Sequence, residues 1–467
     1  MTLPLAVILL YAAGLAALGL YLSRRLQGAD GFFVANRKLS SPLLFSTFLA
    51  ANLGAGTTVG AAQFGYERGL GAWWWVGSAG IGSLLLAFIV GPRIYRLASR
   101  YNLYTVGDYL ELRYNRAARL STAAFLWIGS LAILAGQLIA MGLVLEVVSG
   151  LPHVYGVVLG GVIVTCYFAA GGLFSSAWIN LVQVCVKAVG FAFAVPWALN
   201  GVGGFSGLAD RVRAIAPEPE SYLSITGIGT SGILAYAAVL IPSFIVSPGL
   251  IQKLFGARDE STVRRGVGLQ GLLLLGYAFL PVLLGMVAFV TWPDLENPGL
   301  ALPKLLAEGM PAALGALMLA AVFSAEISSA DAVLFMLSTS VARDLGPALL
   351  GPSPDDKRLL GLARSAALVA GVLGVVVALY LDSILAALMI FYSLLTVTLF
   401  VPLLAGLFAK RPGPRAALAA MAAGAPTLLA VQWATGGQGW LSLTPSIIAI
   451  AVAGLFFVLF SREREPE

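Results

Sequence analysis

Apolar stretches long enough to cross a membrane recur along the whole chain, from Leu3 to Phe460, with little polar sequence between them. A helix needs about 20 mostly apolar residues to span the hydrocarbon core of a bilayer. The composition agrees, because 59% of the 467 residues are hydrophobic and 11% are charged, whereas soluble domains carry about 25% charged residues. The sequence therefore predicts an all-α integral membrane protein, embedded in the lipid bilayer as a single transmembrane domain over 1–467.

The breaks between apolar runs predict thirteen transmembrane helices. Their predicted bounds are 3–22, 40–65, 71–92, 118–148, 155–171, 176–203, 231–253, 266–291, 309–343, 360–380, 384–408, 415–435 and 443–460. The first run has no basic segment before it and is followed by Ser23-Arg24-Arg25 rather than by a small-residue cleavage site. We therefore expect this run to be a retained helix and not a signal peptide.

Basic residues are unequally shared between the two predicted sides of the membrane. Of the 28 Lys and Arg residues, all but five fall on one side; Arg68, Arg211, Arg213 and Lys304 fall on the other, and Lys187 lies inside a helix. Because cytoplasmic loops are rich in Lys and Arg, we expect an outside N-terminus and a cytoplasmic C-terminus in the cell membrane. These basic residues form short clusters between apolar runs rather than one continuous surface, so they indicate membrane topology. We therefore expect no nucleic-acid partner.

Two predicted helices contain interruptions. Between 52 and 58, two glycines and two threonines are poor helix formers. Between 242 and 249, Pro242 and Pro248 each remove a backbone donor. Paired breaks are typical of inverted-repeat transporters, whose binding site lies at the unwound backbone near the midplane. The alternative is that Gly and Pro are simply common in membrane helices.

The predicted helix 309–343 places three oxygen-bearing residues on one face. Ser328 and Ser329 lie three and four positions after Ala325, so their hydroxyls share its side of the helix. Hard cations prefer oxygen ligands, and the unwound segment 52–56 would supply free carbonyls opposite. The alternative is that both hydroxyls bond back to the backbone or across a helix interface.

Several separated segments resemble the sodium/solute symporter family. They are 30–37, 104–113, 171–173 together with Trp178 and Gln183, 251–255, and 327–331 through 343–344. The resemblance implies a LeuT-type fold with two inverted repeats of five helices, over 40–203 and 231–408. It also implies one extra helix within 1–39, two within 409–467, and a protein that acts as a monomer.

The resemblance further implies that a sodium ion is the coupling ion, with no other metal or cofactor. The implied sodium ligands are the carbonyls of Ala50, Leu53 and Ala325 and the hydroxyls of Ser328 and Ser329. The chain departs from the family at Asn180, where an acidic residue is usual, and at Asp331 and Ala332, where some members carry hydroxyls. These departures disfavour a second sodium site, and we expect one sodium ion per cycle.

Charged residues inside the membrane are costly and by default mark function. Lys187 lies seven residues after Asn180 on nearly the same helical face, while Glu326 and Asp331 lie on the helix with the serines. We expect Lys187 to pair with Glu326 or Asp331. Such a pair would gate the cytoplasmic half, would carry a proton in the cycle, or would be a static link between two helices.

The central cavity of such a transporter would be lined by residues near the two breaks. The predicted solute contacts are Asn52, Gly56, Thr57, Val76, Gln137, Ser243 and Phe244. Gln137 is equally suited to an interhelical hydrogen bond, and the tryptophan run 73–75 is more typical of an interfacial anchor than of a stacking platform. Because this set lacks an arginine, we expect a neutral or zwitterionic solute, such as an amino acid, sugar or vitamin.

Other function classes find little support in the sequence. One histidine, no HExxH motif and no phosphate-cradling glycine loop argue against an enzyme. A channel would be expected to have a ring of pore-lining charges or a filter motif, and the sequence shows neither. A transporter-like receptor is a remote alternative. We therefore predict a secondary active transporter that couples a small solute to sodium, with proton coupling through Lys187, Glu326 and Asp331 as the alternative.

Overall fold

The computed structural model describes residues 3–23, 28–169, 173–351, 355–381, 383–409, 413–440 and 443–461. These residues form helices and connecting loops, without a β-sheet. Some residues used above for topology or family resemblance lie outside the described residues. They are Arg24, Arg25, Gly171, Gly172, Lys410, Arg411, Arg462 and Arg464.

Eleven α-helices form the first half of the described chain. They are α1 (Leu3–Ser23), α2 (Gly28–Val34), α3 (Ser41–Asn52), α4 (Val59–Arg68), α5 (Trp73–Leu85), α6 (Gly91–Tyr101), α7 (Val106–Arg113), α8 (Arg116–Ser149), α9 (His153–Ala169), α10 (Leu173–Gly201) and α11 (Gly204–Ile215). A π-helical turn, Leu86–Val90, joins α5 to α6 without a break in the helical path.

Twelve more α-helices form the second half of the part that the structure describes. They are α12 (Pro219–Tyr222), α13 (Gly229–Val246), α14 (Pro248–Phe255), α15 (Glu260–Tyr277), α16 (Phe279–Thr291), α17 (Ala301–Glu308), α18 (Ala312–Ser340), α19 (Gly346–Leu350), α20 (Asp356–Tyr380), α21 (Ile384–Phe408), α22 (Pro414–Thr435) and α23 (Pro445–Ser461).

Within the described ranges, nine helical runs are long and apolar enough to span a bilayer. They are Val59–Tyr101, Arg116–Ser149, Ser175–Gly201, Gly229–Phe255, Glu260–Thr291, Ala312–Leu345, Asp356–Tyr380, Ile384–Phe408 and Pro414–Thr435, with shorter apolar helices at Leu3–Gly19, His153–Cys166 and Pro445–Ser461. Each of the thirteen predicted segments contains helix, which confirms the all-helical membrane architecture. The number of crossings and the inverted repeat stay predictions.

The long helix α18 lies at the centre of the bundle and positions the site. It packs against α1, α3, α8, α10 and α20, and every residue from Ala316 to Ser340 except Leu317 and Ala332 is buried. Close packing elsewhere depends on small residues, as is usual for membrane helices. A Cβ added at Gly285 would lie 2.0 Å from the carbonyl oxygen of Ala62, so α16 contacts the backbone of α4 directly.

Candidate functional site

The predicted interruption at 52–58 is a break between α3 and α4, and other side chains replace its missing helical hydrogen bonds. Leu53 and Thr58 have non-helical backbone angles. The Gln137 Oε1 of α8 accepts the backbone N–H of Ala55 at 2.8 Å. The Thr57 hydroxyl donates to the Asn52 carbonyl at 2.6 Å. The break is therefore a fixed part of the fold, because its buried polar groups have specific partners.

We name five oxygens at the junction of this break and α18 the oxygen cluster: the carbonyls of Ala50, Leu53 and Ala325 and the hydroxyls of Ser328 and Ser329. Ser328 Oγ donates to the Ala325 carbonyl at 2.9 Å and lies 3.2 Å from that of Ala50. Ser329 Oγ donates to the Ala50 carbonyl at 2.9 Å. All five residues are buried. Such a set of uncharged oxygens suits a hard cation, and the role as sodium ligands stays a prediction.

Lys187 of α10 points into the oxygen cluster. Its Nζ donates to the Ser328 hydroxyl at 3.1 Å and to the Leu53 carbonyl at 3.3 Å. The side chain is only 2% exposed. The ion pairs of the described residues do not include Lys187, so it forms no direct salt bridge with Glu326 or Asp331; Glu326 interacts with it through space, and the predicted pairing stays a prediction. The free carbonyl at the helix break provides a nearer acceptor.

The predicted partners of Lys187 bind other groups. Glu326 Oε1 lies 2.7 Å from the Thr58 hydroxyl in the first break. Asp331 Oδ2 accepts from Ser176 at 2.8 Å. The other predicted coupling residue, Asn180, lies 3.4 Å from the Thr47 hydroxyl through its Nδ2.

A second buried lysine, Lys253 of α14, entered the sequence analysis only as part of a family motif and as one of the basic residues assigned to the cytoplasmic side. Its Nζ donates to the same Thr47 hydroxyl at 3.3 Å, and the residue is 3% exposed. The signal that could have identified it is a lysine five residues after Pro248, in a helix whose other residues are uncharged and, except for Gln252, apolar. Lysine is almost never fully buried without a specific reason.

A small central cavity of about 50 Å³ lies between the first break and the break at Ser247. Its lining includes Asn52, Phe244, Ser247, Lys253, Ser329 and Tyr392. The Asn52 Nδ2 has no hydrogen-bond partner among the described residues. The cavity thus offers a free amide donor and a lysine beside two aromatic rings, a combination that suits a small polar solute.

Of the seven predicted solute contacts, Asn52 and Phe244 line this cavity, and the structure gives the other five different environments. Thr57 and Gln137 hold the first break. The Gly56 carbonyl accepts from the Trp75 indole at 2.8 Å. Val76 is fully buried, and the Ser243 hydroxyl donates to the Leu240 carbonyl of its own helix. Tyr392, which does line the cavity, was missed because nothing in the sequence distinguishes it from other aromatic residues of α21.

A much larger cavity, the vestibule, has a volume of about 730 Å³. Its lining includes Phe64, Glu67, Arg68, Tyr222, Tyr236 and Phe289. We name Tyr236, Trp75 and Tyr392 the aromatic layer, because Trp75 contacts the other two at ring-centroid distances of 5.7 and 6.1 Å. Tyr392 in turn contacts Phe244. The aromatic layer therefore connects the wall of the vestibule to the wall of the central cavity.

The position of Trp75 differs from the interfacial anchor expected for the tryptophan run. Trp75 is buried and binds the first break through Gly56. Trp73 and Trp74, which are half-buried, donate to the carbonyls of Leu275 and Ile225. The sequence does not distinguish Trp75 from Trp73 and Trp74. Their different roles become visible only from the positions of the side chains in the structure.

Ionic contacts hold together another region of the bundle, where α7, α8 and the π-helical turn Val341–Leu345 after α18 meet. The Arg119 guanidinium binds Asp108 at 2.7 Å and Asp344 at 3.0 Å, and also binds Glu111. Asp344 additionally accepts from the Thr105 hydroxyl at 2.7 Å. Since Arg119 and Asp344 are mostly buried, these charge-assisted bonds tie three helical elements together.

Comparison with known proteins identifies the family to which this chain belongs. The family model described as Sodium:solute symporter family matches residues 32–424. The chain belongs to the sodium:solute symporter family. This symporter is 26% identical to the sodium/glucose cotransporter of Vibrio parahaemolyticus, covering 91% of this chain and 84% of that protein. It is 25% identical to the sodium/pantothenate symporter of Escherichia coli strain K12, covering 98% and 96%.

A solved structure of a Na+-coupled sialic acid symporter, in a substrate-bound outward-open state, has a TM-score of 0.84 to this symporter at 19% identity. The match covers 100% of this chain and 99% of that chain, and it establishes the shared fold. Family membership supports a multi-pass membrane transporter rather than an enzyme, with sodium as its coupling ion. The particular solute is not settled by these relatives, whose names include glucose and pantothenate.

Proposed function

We propose that this symporter carries a small polar solute across the cell membrane by alternating access, with one sodium ion bound in the oxygen cluster. The observation that carries the proposal is that Ser329 belongs to both sites. Its hydroxyl donates to the Ala50 carbonyl in the oxygen cluster, and the same residue lines the central cavity. A cation that fixes α3 against α18 therefore also fixes a wall of the solute site.

This shared wall explains coupling in thermodynamic terms. If sodium favours the arrangement of α3 and α18 that the solute requires, the solute favours sodium binding by the same free energy. Asn52 strengthens the link, because it ends α3 and also lines the cavity. Neither ligand needs to touch the other.

In alternating access, the solute site is open to one side of the membrane while it is closed to the other. The vestibule is wide, whereas the central cavity of about 50 Å³ is too small for a sugar or a vitamin. Binding of solute therefore requires movement of the aromatic layer, and release to the other side requires opening elsewhere in the bundle. We assign these movements to the two inverted repeats, 40–203 and 231–408, with the N-terminus outside and the C-terminus cytoplasmic.

The cavity lining supports a neutral or zwitterionic solute. Asn52 offers amide hydrogen bonds, and Phe244 and Tyr392 offer ring faces. Lys253 adds one cationic group, which was not among the predicted solute contacts. In a zwitterionic solute, the carboxylate would face Lys253 and the polar remainder would face Asn52.

The test is uptake into proteoliposomes that contain the purified symporter. A panel of radiolabelled sugars, amino acids and vitamins is offered with an inward sodium gradient, with choline in its place, or with an inward proton gradient. We expect concentrative, sodium-dependent uptake of at least one solute and a loss of about tenfold or more in Ser329→Ala, equivalent to 1.4 kcal/mol. Ser446→Ala, a buried serine of α23 away from both sites, is the matched control.

Two other outcomes would contradict parts of this proposal. Uptake driven by protons and indifferent to sodium would favour the alternative of proton coupling through Lys187, Glu326 and Asp331. Solute binding without uptake under either gradient would favour a transporter-like receptor.

A further inference from the structure

The ammonium of Lys187 lies at the oxygen cluster, where the proposed function places sodium. It bonds one oxygen from each side, the Leu53 carbonyl of the break and the Ser328 hydroxyl of α18. We infer that Lys187 and sodium are alternative occupants of the oxygen cluster, so that sodium binds only when the Lys187 side chain has moved out. This inference rests on the proposed function and adds a residue that sets the sodium affinity.

Simultaneous occupancy is excluded by charge and by the number of available oxygens. A sodium ion bound to Leu53 and Ser328 would lie within a few ångströms of an ammonium bound to the same two oxygens. Two positive charges at that distance repel strongly in a poorly hydrated interior. The carbonyl and hydroxyl oxygens are uncharged, so nothing within the oxygen cluster offsets a second positive charge.

Lys187 is not held by a carboxylate at this position. Its hydrogen-bond partners are both uncharged, and the ion pairs of the described residues do not include it. Replacing an ammonium by a sodium ion at neutral oxygens exchanges one monovalent cation for another. Such an exchange is feasible if the displaced ammonium finds a new acceptor.

Glu326 provides that acceptor. It lies two residues before Ser328 on α18, and its Oε1 is engaged by Thr58. Its Oε2 is buried and has no hydrogen-bond partner among the described residues. A buried carboxylate oxygen without a partner is costly, so a displaced Lys187 ammonium would satisfy Glu326 while sodium takes its former place.

Other ionisable groups are less suitable acceptors. Asp331 of α18 already accepts from Ser176. Tyr11 of α1 binds Ser324, and Tyr277 of α15 is uncharged. The helices α3 and α16, which also pack against α10, have no ionisable side chain. Among the described residues, Glu326 is therefore the carboxylate that has a buried oxygen without a partner and whose charge acts on Lys187.

The experiment is a sodium titration of thermal stability in detergent, at constant ionic strength against choline. A ligand that binds the folded state stabilises it by RT ln(1 + [L]/Kd), so the shift reports sodium affinity. Wild type, Lys187→Met and Lys187→Met/Ser328→Ala are compared. Lys304→Met is the matched control, because it removes a half-buried lysine of α17 that lies over the Trp292 ring, outside the oxygen cluster and the central cavity.

We expect Lys187→Met to lower the apparent sodium Kd by about tenfold or more, since the competing cation is removed. Ser328→Ala in the same background should abolish the gain, and Lys304→Met should leave the Kd within about threefold of wild type. If sodium stabilises Lys187→Met but not wild type, that result also supports the inference, because the ammonium would then fully exclude sodium from the oxygen cluster. An unchanged or higher Kd in Lys187→Met overturns it and leaves Lys187 as a static link between helices.

A second variant keeps the inference testable if Lys187→Met folds poorly. Glu326→Gln removes the charge that would receive the displaced ammonium, so it should raise the sodium Kd when Lys187 is present. Unchanged sodium affinity in Glu326→Gln contradicts the proposed exchange. Solute uptake separates this failure from that of the proposed function, because sodium-driven uptake by wild type would continue if only the role of Lys187 were wrong.

Discussion

The two helix breaks differ in how much of the protein holds them in place. The first runs between α3 and α4 over six residues and is bound by side chains of three other helices: Gln137 of α8, Glu326 of α18 and Trp75 of α5. The second, between α13 and α14, is the single residue Ser247, whose ψ of 115° interrupts the helix. No side chain caps the start of α14.

This difference suggests separate roles for the two breaks. A backbone segment bound from several sides keeps its carbonyls in fixed positions, which a small cation site requires. A one-residue break with few bonds can change its angle at low cost, which suits a cavity that must enlarge around a solute. We therefore expect changes at the first break to affect sodium and changes at the second to affect the solute.

The largest expected effect comes from Gly54→Ala in the first break. An added Cβ would lie 2.3 Å from Ser329 Oγ and 2.5 Å from Gln137 Oε1, so the oxygen cluster would have to shift. We expect sodium-dependent uptake to fall by about tenfold or more, together with a loss of sodium stabilisation.

The matched control for this change is Gly249→Ala just after the second break. There the Cβ would lie 3.0 Å from the flexible side chain of Met336, and we expect uptake within about threefold of wild type. Equal losses in the two variants would show that the first break is no more constrained than the second.

A moderate effect is expected from Gln137→Leu. The change leaves the buried N–H of Ala55 without its acceptor, which costs about 1–3 kcal/mol. Thermal denaturation should show lower stability for Gln137→Leu, whereas Gln137→Glu, which retains an acceptor oxygen, should lose less. The control Gln63→Leu affects an exposed bond to Glu67 and should change stability by no more than about 0.5 kcal/mol. Comparable losses in Gln63→Leu and Gln137→Leu would argue against a special role for the first break.

Much of this architecture was predictable from the sequence, because bilayer-length apolar runs fix the helices and separated motifs identify the family. The match over 32–424 confirms the family resemblance. The glycines and threonines of the first break also predicted its location. The second break was predicted less well: α13 continues through Pro242 and is interrupted only at Ser247, since neighbouring helices keep a proline-containing helix in place.

Side-chain partners were the least predictable feature. The spacing of Ala325, Ser328 and Ser329 places three oxygens on one face, and the structure brings them to the first break. The same spacing contains no information about the direction of the long Lys187 side chain, which contacts Leu53 instead of a carboxylate. From charge alone, Glu326 is the expected partner of Lys187. The free Leu53 carbonyl at the first break becomes apparent only in the structure.

The smallest expected effect comes from Pro248→Ala at the second break. Proline disfavours the helical conformation at the preceding residue, Ser247, and alanine would allow α13 and α14 to approach a continuous helix. Because Ser247 and Phe244 line the central cavity, we expect the solute KM for uptake to rise by about threefold, equivalent to roughly 0.65 kcal/mol, while stabilisation by sodium is unchanged. Pro242→Ala, inside α13, is the control. A parallel loss of sodium stabilisation in Pro248→Ala would show that the second break also positions the oxygen cluster, and the division of roles between the two breaks would then be wrong.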